Sequence, residues 1–119
     1  MKVRSYKELD AYRKSYEVAK LVYNMTRSFP KEELYGITGQ LRRSAVSIPS
    51  NIAEGYMRGS KEYVQFLKIA LGSAAELETQ LSLSRDLGFC EDNEFNNVYA
   101  LNQEVMKLLR TYVNRLSRH

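Results

Sequence analysis

The sequence predicts an all-α protein, an antiparallel up-down-up-down four-helix bundle. Three observations carry this. Apolar residues recur at three- and four-residue steps through four long stretches, the spacing that lines one face of a helix. Gly and Pro, only 6 and 2 in 119 residues, divide the chain into those four stretches. No segment alternates with the period of two that a strand requires.

The first stretch runs from Leu9 to Ser28, with Tyr12, Tyr16, Ala19, Val22, Tyr23 and Thr26 on one face. Two starts compete: Ser5 with Glu8 matches a capping box, and Asp10 could cap a shorter helix. Phe29-Pro30 ends it, because proline disfavours the α conformation in the residue before it. The second stretch opens with Glu32 and Glu33, acids suited to the positive end of a helix dipole. Leu34, Thr38, Leu41, Ala45, Ile48 and Ile52 follow at spacings of 4, 3, 4, 3 and 4, a heptad seam. Pro49 lies inside it and removes a backbone donor, so a kink is expected there.

Ser60 is the expected N-cap of the third stretch, with Glu62 in its first turn. Tyr63, Leu67, Ala70, Ala74, Leu77, Leu81 and Ser84 continue the rhythm, and Leu87-Gly88-Phe89 reads as a stop. Small residues from Ala70 to Ala75 allow close approach of a neighbour. The fourth stretch, after Glu91-Asp92, carries Phe95, Val98, Leu101, Val105, Leu108, Leu109, Tyr112 and Leu116. Lys107, Arg110, Arg115 and Arg118 suit the negative end of its dipole.

The whole of 1–119 reads as one domain, long enough to bury roughly two-thirds of its unfolded surface. One cysteine, Cys90, permits no intrachain disulfide. With no apolar run near the length of a membrane span and no signal-like N-terminus, a cytoplasmic protein without membrane contact is expected. The net charge of +4 is uneven: residues 1–59 hold 11 Lys/Arg against 6 Asp/Glu, and residues 60–119 hold 7 against 8. A basic half suits a polyanionic partner, although charges on helices are commonly a solvated face.

The chemistry of an enzyme is missing from this pattern. The sole His is terminal His119, poorly placed to act as a base beside a nucleophile. One Cys and one His exclude the usual zinc sets, and no Glu-x-x-His motif supports a di-iron centre. No Gly-rich phosphate loop occurs. Arg115-Leu-Ser-Arg-His119 faintly resembles the Arg and His of helical toxin RNases, with a spacing one residue short, and reads more simply as a basic helix end. No catalytic residue, metal or cofactor is expected.

The most distinctive segment is Gln40-Leu-Arg-Arg-Ser-Ala-Val-Ser-Ile-Pro-Ser-Asn-Ile-Ala-Glu-Gly55. It closely resembles the signature of the four-helix-bundle proteins encoded in intervening sequences of 23S ribosomal RNA genes. Val22-Tyr23, Phe29-Pro30, Tyr35-Gly36, Ser60-Lys61-Glu62-Tyr63, Phe66-Leu67, Ala70-Leu-Gly-Ser73, Glu76-Leu-Glu-Thr-Gln-Leu81 and Leu87-Gly88-Phe89 extend the resemblance over residues 9–89. Tyr12 stands where such proteins often have Trp. The resemblance implies a homo-oligomer, a ring of five. A related branch, the accessory variability determinants of diversity-generating retroelements, binds nucleic acid and a reverse transcriptase, so RNA or DNA and such a protein are the implied partners.

Two readings of the motif stand side by side. Arg42, Arg43, Asn51, Glu54, Glu76, Glu78 and Gln80 could form a polar network between the second and third helices. Alternatively, Arg42 and Arg43 join Arg58, Lys61 and Lys68 in a phosphate-contacting surface. Tyr12, Tyr16, Tyr23, Tyr63 and Tyr112 are expected in the core or at a subunit interface, and Tyr56 is the one candidate for stacking on bases. A noncatalytic, nucleic-acid-binding scaffold is therefore the first functional reading, a protein-interaction module the second and an RNase the weakest.

Overall fold

The computed structural model describes residues 4–118; His119 lies outside them. Four helices follow in order: α1 (Asp10–Thr26), α2 (Ile37–Arg58), α3 (Ser60–Asp86) and α4 (Asp92–Leu116), and no strand occurs among the described residues. They pack on each other in a body of 45 × 23 × 22 Å. Where α2 meets α3, the contacts run in reversed order: Ser47 at mid-helix bonds Ser73, and the later Gly55 packs on the earlier Tyr63 and Phe66. The same reversed order joins α3 to α4, through Glu78 with Tyr99 and Ala74 with Asn102.

The heptad seams become the core. Leu41, Ala45, Ile48 and Ile52 of α2, and Leu67, Ala70, Ala74, Leu77 and Leu81 of α3, have no exposed surface. α1 contributes Val18, Val22 and Met25, and α4 contributes Phe95, Val98, Val105 and Leu109. α2 runs through Pro49, which is itself buried.

Helix ends depart from expectation where local backbone geometry competes with side-chain caps. Ser5 caps only a 3-10 turn over Tyr6–Glu8, and α1 starts at Asp10 behind Leu9. Beyond Pro30 the chain makes a second 3-10 turn, Lys31–Glu33, and α2 begins only at Ile37 because Gly36 leaves the helical region at φ −108°, ψ −120°. Leu34, expected to open the α2 seam, is consequently exposed. Gly59, at φ 105°, occupies the N-cap expected of Ser60, which is the first residue of α3. That backbone conformation favours glycine and turns α2 directly into α3.

The stop after α3 follows the sequence expectation. Gly88 has φ 77°, Phe89 N–H donates to the Ser84 carbonyl and Gly88 N–H to that of Arg85, the paired bonds of a Schellman motif. α4 opens on a capping box that the sequence reading passed over, Glu91 and Glu94 exchanging side-chain and backbone bonds.

Candidate functional site

Three surfaces gather the residues singled out in the sequence. The first is basic. Arg58 is half exposed, but its guanidinium is held by Glu54 at 2.7 Å, lies 4.0 Å from Glu62 and covers the Phe66 ring at 5.0 Å. Its charge is thus largely answered from within the chain. Lys61 and Lys68 are exposed on α3 seven residues apart, hence on one helical face, and form no ion pair or hydrogen bond among the described residues. Arg42 turns away from α3 altogether. Its Nε donates to Thr26 Oγ1 at 2.9 Å, and its guanidinium covers the Tyr23 ring at 4.7 Å.

The second surface is a polar groove of about 570 Å³ between α2 and α3. Gln40, Arg43 and Ser47 line it from α2; Ser73, Glu76 and Gln80 line it from α3. The Ser47 and Ser73 hydroxyls bond across its floor at 2.9 Å, and Asn51 Nδ2 donates to the Ser47 carbonyl at 2.8 Å and hydroxyl at 2.9 Å. Gln80 Oε1 is buried without a donor. Arg43 and Glu76, exposed on opposing walls, make no ion pair or hydrogen bond among the described residues.

The seven residues considered for one network therefore serve different neighbours. Arg42 ties α2 to α1, Glu54 holds Arg58 on its own helix, and Glu78 faces α4, where it accepts from Tyr99 Oη at 3.0 Å and from Gln103. That bond to a carboxylate pushes the Tyr99 phenol above its ordinary range. Only Asn51, Arg43, Glu76 and Gln80 remain at the α2/α3 junction.

The third surface is apolar and lies between α1 and α2, where Tyr12, Tyr16 and Ala19 face Val46, Pro49 and Ala53 around a cleft of about 250 Å³. Tyr16 is 53% exposed, Tyr23 42% and Val46 42%. Tyr16 leads through Tyr12, Tyr6 and Tyr56 to Tyr63 in a chain of ring contacts with centroids 5.1 to 6.3 Å apart. Burial, with Tyr6 and Tyr16 beside it, raises the Tyr12 pKa. Tyr56, the candidate for base stacking, is half-buried between Tyr6 and Tyr63.

Residues 7–111 match the family model described as 23S rRNA-intervening sequence protein. The chain belongs to that family. Among solved structures, it is similar to a Bacteroides thetaiotaomicron protein of unknown function from the S23 ribosomal protein family. The TM-score is 0.77, with 87% of this chain and 97% of that one covered, at 24% identity, a likeness of fold. No curated protein matches the chain. This member of the 23S rRNA-intervening sequence protein family has no group of three His, Cys, Asp or Glu side chains placed to hold a metal ion among its described residues. No described helix is long and apolar enough to cross a membrane.

Two features escaped the sequence reading. Asn102 is fully buried in α4, on the core face, donating to the Ala74 carbonyl at 3.0 Å. Tyr35, at the turn before α2, is 96% exposed. Cys90 is half-buried, and burial, reinforced by Glu94 and Asp92, raises its thiol pKa, which disfavours the reactive thiolate.

Proposed function

We propose that this protein is a noncatalytic cytoplasmic scaffold that works as a homo-oligomer, a ring of five in the arrangement implied by the family resemblance. The observation that carries the reading is the apolar α1/α2 face, where Tyr16, Tyr23 and Val46 stay exposed beside a cleft instead of joining the core. Tyrosines of this kind supply large contact area with little side-chain entropy to lose, which suits a subunit interface. Light scattering after gel filtration tests it. Tyr16→Glu with Val46→Glu should break the assembly while leaving helical content unchanged, and a single-chain mass for the wild type at micromolar concentration would overturn it.

A second reading makes nucleic acid the ligand of this scaffold. It is favoured by Lys61 and Lys68, two cations on one face of α3 that no carboxylate answers among the described residues. Arg43 can contribute a third charge; Arg58 and Arg42 contribute less because Glu54, Thr26 and Tyr23 already engage them. Repetition around an assembly would add weak contacts through effective concentration. Binding of labelled RNA and duplex DNA should be sequence-independent and should weaken steeply with salt as phosphates release counterions. Lys61→Glu with Lys68→Glu should abolish it. Absence of binding at low salt would leave the interaction module.

A further inference from the structure

We infer that the α2/α3 groove carries a two-fold contact with a second copy of this chain, distinct from the ring contact on the α1/α2 face. The groove has a donor wall and an acceptor wall. Arg43 on α2 brings a fork of N–H donors, and Glu76 on α3 brings a carboxylate, with Gln80 Oε1 buried one turn beyond it and lacking a donor. Neither charge is paired among the described residues. A surface with one cation and one anion on opposite walls is complementary to itself after a half-turn, the requirement of an isologous interface.

The apolar residues around the groove follow the same symmetry. Ile69 and Leu83 are 43% and 47% exposed, and each stands seven residues from Glu76 on the outer face of α3. With a two-fold axis near Glu76 and the two α3 helices running in opposite directions, Ile69 meets the partner's Leu83 and Leu83 the partner's Ile69. Each Glu76 then lies beside the partner's Arg43, which offsets the repulsion between the two carboxylates. Gly72, between Ile69 and Glu76, is exposed, and a Cβ built there meets nothing within 4 Å. A glycine exposed in mid-helix costs helix stability relative to alanine, and no neighbour within the chain requires it. Close approach of a second α3 does. One long side of the molecule, 45 by 22 Å, is large enough for the roughly 800 Å² per partner of a standard interface.

Reversing the charges separates this contact from its alternatives. Arg43→Glu and Glu76→Arg should each weaken pairing at least tenfold and halve the mass measured by light scattering. Helical content of each chain should be retained, since both side chains are exposed and unpaired among the described residues. Mixing the two variants, or combining them in one chain, should restore the wild-type mass. Arg43→Gln, which removes the charge without reversing it, carries the same test at smaller amplitude. Single variants with the wild-type mass would overturn the two-fold contact while leaving the ring standing. Restoration by the double variant but not by the mixture would place the pair within one chain and overturn it too. A dimeric wild type whose single variants are monomers would uphold the contact and remove the ring.

Discussion

Gly55→Ala is the substitution whose outcome the packing of α2 on α3 most directly fixes. Alanine is normally the better helix residue by about 1 kcal/mol, so the change should stabilise an unobstructed helix. At Gly55, however, a Cβ would stand 2.5 Å from Phe66 Cβ, 3.2 Å from Tyr63 Cδ1 and 3.3 Å from Phe66 Cγ. Carbon atoms in favourable contact lie about 3.5–4.0 Å apart, so the helices must separate by about 1 Å. No rotamer of Phe66 relieves the closest contact, because its Cβ is fixed to the α3 backbone. Overpacking of this kind costs about 1–3 kcal/mol. Subtracting the propensity gain leaves a net loss of up to about 2 kcal/mol, a fall in Tm of up to about 10 °C for a chain of this size. Urea denaturation followed by circular dichroism reads it. Gly72→Ala is the control, made in the Arg43→Glu background so that the two-fold contact does not contribute; with open space at Gly72 it should gain about 1 kcal/mol. A Gly55→Ala chain that gained the same ~1 kcal/mol as the open-site control would refute the close approach of the two helices.

Arg42→Ala should lose about 1–2 kcal/mol through its hydrogen bond to Thr26 and its contact with Tyr23. Arg42→Lys should fail to rescue it, since the bond leaves from Nε and the contact needs a planar guanidinium; full rescue in urea denaturation would contradict this. Tyr63 has its pKa pushed up to about 12, mainly by burial and further by Tyr112 and Tyr56. The folded chain therefore holds this proton longer than the unfolded chain, whose phenol titrates near 10. Its stabilisation is complete below pH 10 and is lost as pH rises towards 12. Tyr63→Phe should fall less steeply in denaturations at increasing alkaline pH, and identical slopes for the two proteins would exclude the effect.

The sequence by itself determined the number of helices, most of their core residues and the family. Leu41, Ala45, Ile48 and Ile52 could be placed in the core from spacing alone, because burying a heptad seam is the dominant gain open to such a helix. The stops at Pro30 and Gly88 were legible because proline and glycine act on the backbone locally. The candidate sites were legible only as a set of residue types. Residues flanking a seam lie between two neighbouring helices, and periodicity does not choose between those neighbours. Tertiary structure sends Arg42 to Thr26 on α1 and Glu78 to Tyr99 on α4, and leaves Arg43 and Glu76 across one groove with no partner among the described residues. It likewise keeps Tyr16 and Tyr23 at the surface, although their spacing matches that of the buried Val22, and buries Asn102 against Ala74. Long polar and aromatic side chains reach whichever neighbour lies within contact distance, and only the rotation and separation of the packed helices set that distance.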